Sequence, residues 1–263
     1  MDAIVSAAGW REIRDAAASM ASQEPILAPY LRATILERPG LAAAISCLLA
    51  TRLTVPEMDR DLVTALFEET LAEHDALIEV ILCDLKAAVD RNPAVQGLID
   101  VFLNHKGFHA LEAYRIAHCL WNQNRKALAL HLQSRISEVF AVDIHPACSI
   151  GRGIFIDHGT GVVIGETTAI ADEVSILQGV TLGGTGKDVG DRHPKIERGV
   201  LICAGAKILG NIRIGAASKV GAGSVVLNDV PPRTTVVGVP ARIVGRPRDE
   251  SPALEMNVRV DHE

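Results

Sequence analysis

The 263-residue sequence has few aromatic side chains, no paired cysteine motif and no long apolar run. Phe, Trp and Tyr make up only 3% of it. Its five cysteines are widely spaced, which is typical of buried thiols in a reducing compartment. The longest apolar run, residues 41–50, is about half the length of a membrane-spanning helix, and the first residues lack the basic-then-apolar order of a signal peptide. These absences predict a soluble cytoplasmic protein with no membrane partner.

The sequence also lacks an excess of positive charge. It has 26 Lys and Arg against 32 Asp and Glu, for a net charge of -6 at pH 7. This balance argues against nucleic-acid binding, because phosphate backbones attract basic surfaces. Hydrophobic residues make up 48% of the chain, which excludes a mainly disordered protein. We therefore expect a folded protein with no nucleic-acid partner.

Aromatic residues and glycines divide the chain near residue 141. Eight of the nine aromatic residues precede that position, and 18 of the 22 glycines follow it. Apolar residues keep roughly helical spacing over 12–20, 26–36, 56–89, 107–122 and 127–140, which predicts an all-helical domain of about six helices over residues 1–140. A second domain then spans residues 141–248. Residues 249–263 are charged and irregular, and we expect them to form a flexible tail.

Aliphatic residues recur every six positions in the second domain, a period that fits neither a helix nor simple strand alternation. Small residues often follow them, and glycine suits tight corners. Hexapeptide periodicity is typical of a parallel β-helix, in which each hexad forms one short flat face. An ordinary β-sandwich would instead alternate with a period of two. The hexad residues fall in three runs: Ile144, Ile150 and Ile156; Ile164, Ile170, Ile176 and Leu182; and Ile202, Ile208, Ile214, Val220 and Val226.

Two breaks in this register are candidate functional sites. The interval from Ile156 to Ile164 is eight residues, so a surplus of two falls near Gly159. Between Leu182 and Ile202 the pattern is absent over residues 184–199, and we expect this stretch to leave the β-helix as a loop. Loops on a regular scaffold carry function more often than the scaffold itself.

Five segments resemble serine acetyltransferases of the bacterial cysteine pathway. The resemblance spans about residues 90–247 and implies an α+β fold, with an N-terminal all-helical domain followed by a C-terminal left-handed parallel β-helix of hexapeptide repeats. It also implies a homo-hexamer of two trimers joined through the helical domains. The segments are KGFHALEAYRIAHCLWNQ (106–123), VDIHPACSIGRGIFIDHGTGVVIGE (142–166), VTLGGTGKDVGDRHPK (180–195), AGAKILGN (204–211) and GVPARIVG (238–245).

The implied reaction transfers the acetyl group of acetyl-CoA to the hydroxyl of L-serine, giving O-acetyl-L-serine and CoA in the first step of cysteine biosynthesis from serine. An alcohol needs a base to take its proton. The resemblance implies that His158 is this base, oriented by Asp143, although their spacing alone does not establish the pair. It further implies that Asp157 holds the serine ammonium group, while Arg192 and His193 of a neighbouring barrel bind the carboxylate and assist the chemistry.

One position departs from the family pattern. An Asp-Pro pair at the end of the family's helical domain supplies a second carboxylate to the serine amine, whereas here Asn92 precedes Pro93. Asparagine can accept a hydrogen bond but carries no charge. Two alternatives follow for the serine amine: Asp90 substitutes for the missing carboxylate, or Asp157 suffices alone.

The resemblance also implies a site for acetyl-CoA as co-substrate. Backbone amides beside small side chains permit the pantetheine arm to approach closely, and two cations are candidates for its phosphates. The implied residues are Gly183, Gly184, Ala204, Gly205, Ala222, Gly223, Lys219 and Arg242.

Other functions stay open at this point. A related hexapeptide acyltransferase would accept homoserine or a sugar hydroxyl, and a non-catalytic scaffold is a further alternative. A zinc enzyme of the γ-carbonic anhydrase kind would use His145, His158 and His193, because three histidines suit an open zinc site. We expect no metal, since Asp143 and Asp157 flank these histidines and the loop matches acyltransferases.

Two partners follow from the resemblance alone. L-cysteine is implied as a feedback inhibitor that competes in the serine site. Family members that dock into O-acetylserine sulfhydrylase end in isoleucine, whereas this sequence ends in Glu263. We therefore regard that complex as doubtful.

Overall fold

The part of the chain before residue 141 is helical. The computed structural model describes residues 2–186 and 189–259, with side chains from residue 7 onward. Within this described part, no helix has both the length and the apolar surface that a bilayer crossing requires. The helices are α1 (Asp2–Gln23), α2 (Ala28–Leu31), which continues as a π-helical turn (Arg32–Leu36), α3 (Leu41–Leu53), α4 (Arg60–Ala72), α5 (Ala76–Arg91), α6 (Leu98–Asn104), α7 (Lys106–Asn122) and α8 (Lys126–Phe140).

The described helices outnumber the six expected from spacing. The stretch 56–89 divides into α4 and α5, and Asp59 caps the start of α4 by accepting hydrogen bonds from the backbone amides of Asp61 and Leu62. Helix α3 is nearly all apolar and buried, so it lacks the polar stripe that reveals a helix in sequence. Helix α6 has only seven residues, too few for a period to be recognised.

Fifteen short strands follow, and they build a parallel β-helix with three faces. Face A contains β1, β4, β7, β10 and β13, face B contains β2, β5, β8 and β11, and face C contains β3, β6, β9, β12, β14 and β15. The strands are β1 (Val142–Ile144), β2 (Ser149–Ile150), β3 (Phe155–Ile156), β4 (Val162–Ile164), β5 (Ala169–Ile170), β6 (Ser175–Ile176), β7 (Thr181–Gly183), β8 (Lys195–Ile196), β9 (Leu201–Ile202), β10 (Lys207–Leu209), β11 (Arg213–Ile214), β12 (Lys219–Val220), β13 (Val225–Val226), β14 (Thr235–Gly238) and β15 (Ala241–Gly245).

The predicted hexad residues form the interior of this β-helix. All twelve lie in strands, and all except the half-buried Ile150 are fully buried. The loop prediction for 184–199 was too long, because Lys195 and Ile196 already form β8 and pair with β5 and β11. Ile196 precedes Ile202 by six residues, so the hexad rule marks it as well. The loop that leaves the β-helix therefore ends before residue 195.

Both ends of the β-helix are covered. At the first coil, side chains of α7 bind backbone carbonyls that no earlier coil could reach: Tyr114 Oη donates to Cys148 O (2.6 Å), Arg115 Nη2 to Gly151 O (2.7 Å), and His118 Nδ1 contacts Pro146 O (2.7 Å). At the other end, β15 folds back antiparallel on β14. The parallel stacking of coils thus stops in both directions.

Residues 249–259 contact the rest of the protein, and the flexibility expected of the tail stays a prediction. Helix α9 (Pro252–Glu255) contacts α5 and β9. Ser175 Oγ on face C donates to Ala253 O (2.7 Å), and Lys219 Nζ donates to Arg259 O. The segment covers the outer side of face C as far as residue 259. Residues 260–263, including Glu263, lie outside the described residues.

Candidate active site

His158 lies where the chain turns from face C to face A, a position we call the C–A corner of each coil. It follows β3 at the eight-residue register break, with φ 56°, and Gly159 and Gly161 there also have positive φ. A left-handed backbone is costly for a residue with a side chain and often marks a functional site. The His158 ring is 72% exposed, and its Nε2 is 3.8 Å from Asp157 Oδ2. The structure therefore holds an accessible imidazole beside a carboxylate.

A cavity of about 400 Å³ separates this corner from the start of α7. Beside the cavity, the start of α7 is in close contact with the end of β3, since a Cβ added at Gly107 would lie 2.1 Å from Ile156 O. The cavity brings together three of the predicted residues, Asn92, Asp157 and His158. It also contains side chains that the sequence reasoning did not assign to the site: Asn104, His105 and Lys106.

Asp143 lies on the outer side of face A and does not contact His158. Its Oδ1 accepts a hydrogen bond from Gln133 Nε2 of α8 (2.7 Å), and no ion pair within 4.0 Å joins it to His158 among the described residues. The His158 corner is nevertheless adjacent, because Gly161 N donates to Ala141 O (2.7 Å) at the start of β1. The His158–Asp143 pair stays a prediction.

Arg192 and His193 occupy a different corner, between faces A and B, which we call the A–B corner. Arg192 Nη2 is 2.7 Å from Glu166 Oε2, and this bond lowers the pKa of Glu166. The His193 ring is only 7% exposed and packs over Gly165, where a Cβ would lie 2.1 Å from the ring. Its Nδ1 accepts from Thr167 N (3.2 Å). Burial, with the charge of Arg192, lowers the pKa of His193, so its ring is neutral at neutral pH.

The predicted acetyl-CoA residues divide between the same two corners. Ala204, Gly205, Ala222 and Gly223 follow face C strands at the C–A corner, whereas Gly183 and Gly184 lie at the A–B corner. At the C–A corner, four glycines with φ between 68° and 75° stack in a row that begins beside His158, so bare backbone faces outward along the β-helix. The stacked glycines are Gly161, Gly179, Gly205 and Gly223.

The two predicted phosphate ligands have different environments. Arg242 on β15 is exposed. Lys219 on face C is 4% exposed beneath the segment after residue 248, so in this structure it does not face an open groove. Its role toward acetyl-CoA stays a prediction, as does that of Arg242.

The three histidines considered for zinc have different surroundings. His145 packs its ring against Trp121, with ring centroids 5.2 Å apart, His193 packs over Gly165, and His158 lies at the other corner. Among the described residues, no group of three or more His, Cys, Asp or Glu side chains is arranged to hold a metal ion.

Comparison with known proteins agrees with this architecture. Residues 10–113 match the family described as "Serine acetyltransferase, N-terminal", and residues 193–228 match "Bacterial transferase hexapeptide (six repeats)". A curated serine acetyltransferase of Escherichia coli K12 is 53% identical over 248 residues, which is 94% of this chain and 91% of that protein.

Two solved structures extend the comparison. A serine acetyltransferase in complex with cysteine is 50% identical and superposes with a TM-score of 0.95, covering 99% of this chain and 100% of its own. A serine acetyltransferase of Brucella abortus S19 in complex with coenzyme A is 50% identical, with a TM-score of 0.89 and coverage of 90% and 95%. On the evidence of both domains and of identity over nearly its whole length, this chain belongs to the serine acetyltransferase family.

Proposed function

We propose that the chain transfers the acetyl group of acetyl-CoA to the hydroxyl of L-serine, with His158 as general base in a ternary complex. The observation that carries this assignment is the C–A corner, where an accessible imidazole and a carboxylate border a cavity at the start of the glycine row. The family name supplies the reaction, and the related structure with coenzyme A supports the co-substrate.

The corner suits a direct transfer. His158 takes the serine hydroxyl proton as the oxygen attacks the thioester carbonyl carbon, and the C–S bond of the resulting tetrahedral species then breaks. The imidazolium returns the proton to the departing sulfur, which gives O-acetyl-L-serine and CoA. No cysteine nucleophile is needed. Cys148 and Cys203 are fully buried, and burial raises the pKa of Cys203 to about 11.

The glycine row provides a path for the pantetheine arm. The backbone amides of Ala204 and Ala222 donate to no backbone carbonyl of the described residues. They are therefore free to donate to the amide carbonyls of the arm, while the absence of side chains on Gly205 and Gly223 lets the arm lie against the backbone. This arrangement would direct the thioester toward His158.

We infer that the complete site forms between neighbouring subunits. Within one chain, His158 with Asp157 and Arg192 with His193 lie at different corners of the β-helix. Side-by-side packing of two chains would bring the C–A corner of one against the A–B corner of the next, and a closed ring of three would complete three such sites. The hexamer expected from the resemblance would then join two rings through the helical domains.

A complementation experiment tests the shared site. His158→Ala and His193→Ala are each inactive or nearly so in this proposal. When the two are co-expressed and assemble at random, about a quarter of neighbouring pairs combine an intact His158 with an intact His193. Activity should return to about that fraction of the wild-type value. A site contained within one chain would give no recovery.

Acceptor specificity is tested by thiol release from acetyl-CoA with serine, homoserine and a galactoside in turn. We expect serine-dependent release that survives treatment with a metal chelator. Release that is faster with homoserine or a sugar would favour another hexapeptide acyltransferase. Loss of activity on chelation would instead point to the zinc enzyme.

Cellular context and regulation remain parts of this proposal. We place the protein in the cytoplasm, in keeping with its free, largely buried cysteines. The related structure with cysteine supports L-cysteine as an inhibitor that competes with serine. A pull-down with O-acetylserine sulfhydrylase tests the doubtful complex with that enzyme.

A further inference from the structure

The cavity beside His158 has a shortage of acceptors for an ammonium group. Asp157 is the one carboxylate among the described residues that line it. An amino-acid ammonium has three N–H donors, and a buried donor without a partner costs binding energy. A carboxylate at Asp157 therefore needs help from a second acceptor.

Asn92 is poorly arranged to give that help. Its side-chain oxygen already accepts a hydrogen bond from the backbone amide of Ala94 (3.0 Å). The other end of the carboxamide is an NH₂ group, which donates and cannot accept from an ammonium. Lys106, also in the cavity, is a cation whose Nζ donates to Thr160 Oγ1.

Apart from the exposed Asn104 and the proposed base His158, His105 is the further side-chain acceptor in the cavity. It is half-buried at the start of α7, and its ring forms no hydrogen bond with another described side chain. Burial lowers the pKa of His105 despite the opposing charges of Asp157 and Asp100. The ring is thus neutral at neutral pH, and a neutral imidazole has one nitrogen that accepts a hydrogen bond.

We propose that His105 is a substrate-binding residue that accepts a hydrogen bond from the ammonium group of serine, opposite Asp157, where position 92 lacks a carboxylate. The inference rests on the proposed function, because it assigns a specificity residue to the same acceptor site. It assigns no part of the proton transfer to His105.

This arrangement makes serine binding sensitive to acid. The charged or titratable groups that face His105 are Asp157 and His158 at the C–A corner, Asp100 on α6, and Lys106 and His109 on α7. When His105 gains a proton it loses its acceptor nitrogen and repels the ammonium. The advantage that His105 gives is therefore present above its pKa and disappears as the pH falls through it.

The test compares steady-state kinetics of the wild type with His105→Leu and His105→Gln at saturating acetyl-CoA. Since a hydrogen bond to a charged group is involved, we expect His105→Leu to raise KM for serine about tenfold near pH 8, with kcat within twofold of the wild type. His105→Gln restores an acceptor oxygen and should recover most of the affinity. His131→Leu, at an exposed position on α8, is the matched control and should change neither constant.

The pH profile and a second background separate binding from a structural role. The ratio of kcat/KM for the wild type to that for His105→Leu should fall from about ten at pH 8 to one or less at acid pH, because a protonated His105 accepts no hydrogen bond and repels the ammonium group. In an Asn92→Asp background, His105→Leu should raise KM for serine by a smaller factor, since the new carboxylate supplies the second acceptor.

Each failure has a distinct meaning. The role of His105 is wrong if the wild type acetylates serine but His105→Leu leaves KM for serine unchanged. It is also wrong if His105→Gln loses as much affinity for serine as His105→Leu does. Either result leaves the proposed function intact. Absence of serine-dependent thiol release in the wild type would overturn the proposed function itself.

Discussion

At the scale of single residues, His158 is the side chain whose removal should have the largest effect on turnover. We expect His158→Ala to lower kcat by about two to four orders of magnitude, the usual range for loss of a general base. Because the ring is 72% exposed, its removal should leave the melting temperature nearly unchanged. Stopped-flow or steady-state thiol release measures the first effect and circular dichroism the second. Near-normal turnover in a folded variant would contradict the assignment.

The sequence predicted part of this residue-scale arrangement. Asn92, Asp157 and His158 share a cavity because α5, which Asn92 follows, packs against β3, which Asp157 and His158 follow. His105 belongs to no motif, and only the packing of α7 against β3 brings its ring into the cavity. Arg192 and His193 lie apart from His158 because their loop connects β7 on face A to β8 on face B, whereas His158 follows β3 on face C. The side-chain partner of Asp143 depends on the docking of α8, which no local pattern reveals.

At the scale of elements, the joint between α5, α7 and the first coil contains two buried carboxylates and one guanidinium. Arg115 Nη2 is 2.6 Å from Asp84 Oδ2, and Asp84 Oδ1 accepts from Ile154 N (2.7 Å). Glu112 is 1% exposed, and Arg115 Nε is 3.4 Å from its Oε2. Burial and the charge of Asp84 raise the pKa of Glu112 well above its ordinary value. Glu112 therefore retains its proton in the folded protein.

This joint makes folding stability fall as the pH rises. The unfolded chain releases the Glu112 proton near the ordinary glutamate pKa, while the folded chain holds it to a higher pH, so the free energy of unfolding declines across that window. Glu112→Gln has a side chain of nearly the same shape that does not titrate. The difference in melting temperature between Glu112→Gln and the wild type should therefore increase in favour of the variant from pH 5 to pH 9. Glu69→Gln, exposed on α4, is the control. Parallel curves for Glu112→Gln and wild type would contradict a protonated Glu112.

Element prediction succeeded where a period was long enough to count. Twelve hexad residues were found because each coil repeats the same inward positions, and the missing one, Ile196, was hidden by the loop before it. Helix α3 was missed as a helix since it is apolar on all sides, and α9 because its four residues sit in a charged, Pro-containing segment. Whether α3 and α9 form depends on burial by distant parts of the chain, and the spacing of neighbouring residues carries no information about that burial.

At the scale of the whole molecule, the covered ends of the β-helix determine how copies can associate. An open end of such a solenoid would present unpaired backbone groups to which another copy could add, coil upon coil, without limit. Here α7 occupies the carbonyls of the first coil and the β14–β15 pair closes the last. End-to-end growth into a fibre is blocked, and the exposed corners along the sides are left for contact. The same covering that blocks polymerisation leaves the sides of the β-helix open for the proposed lateral arrangement, in which two half-sites would meet.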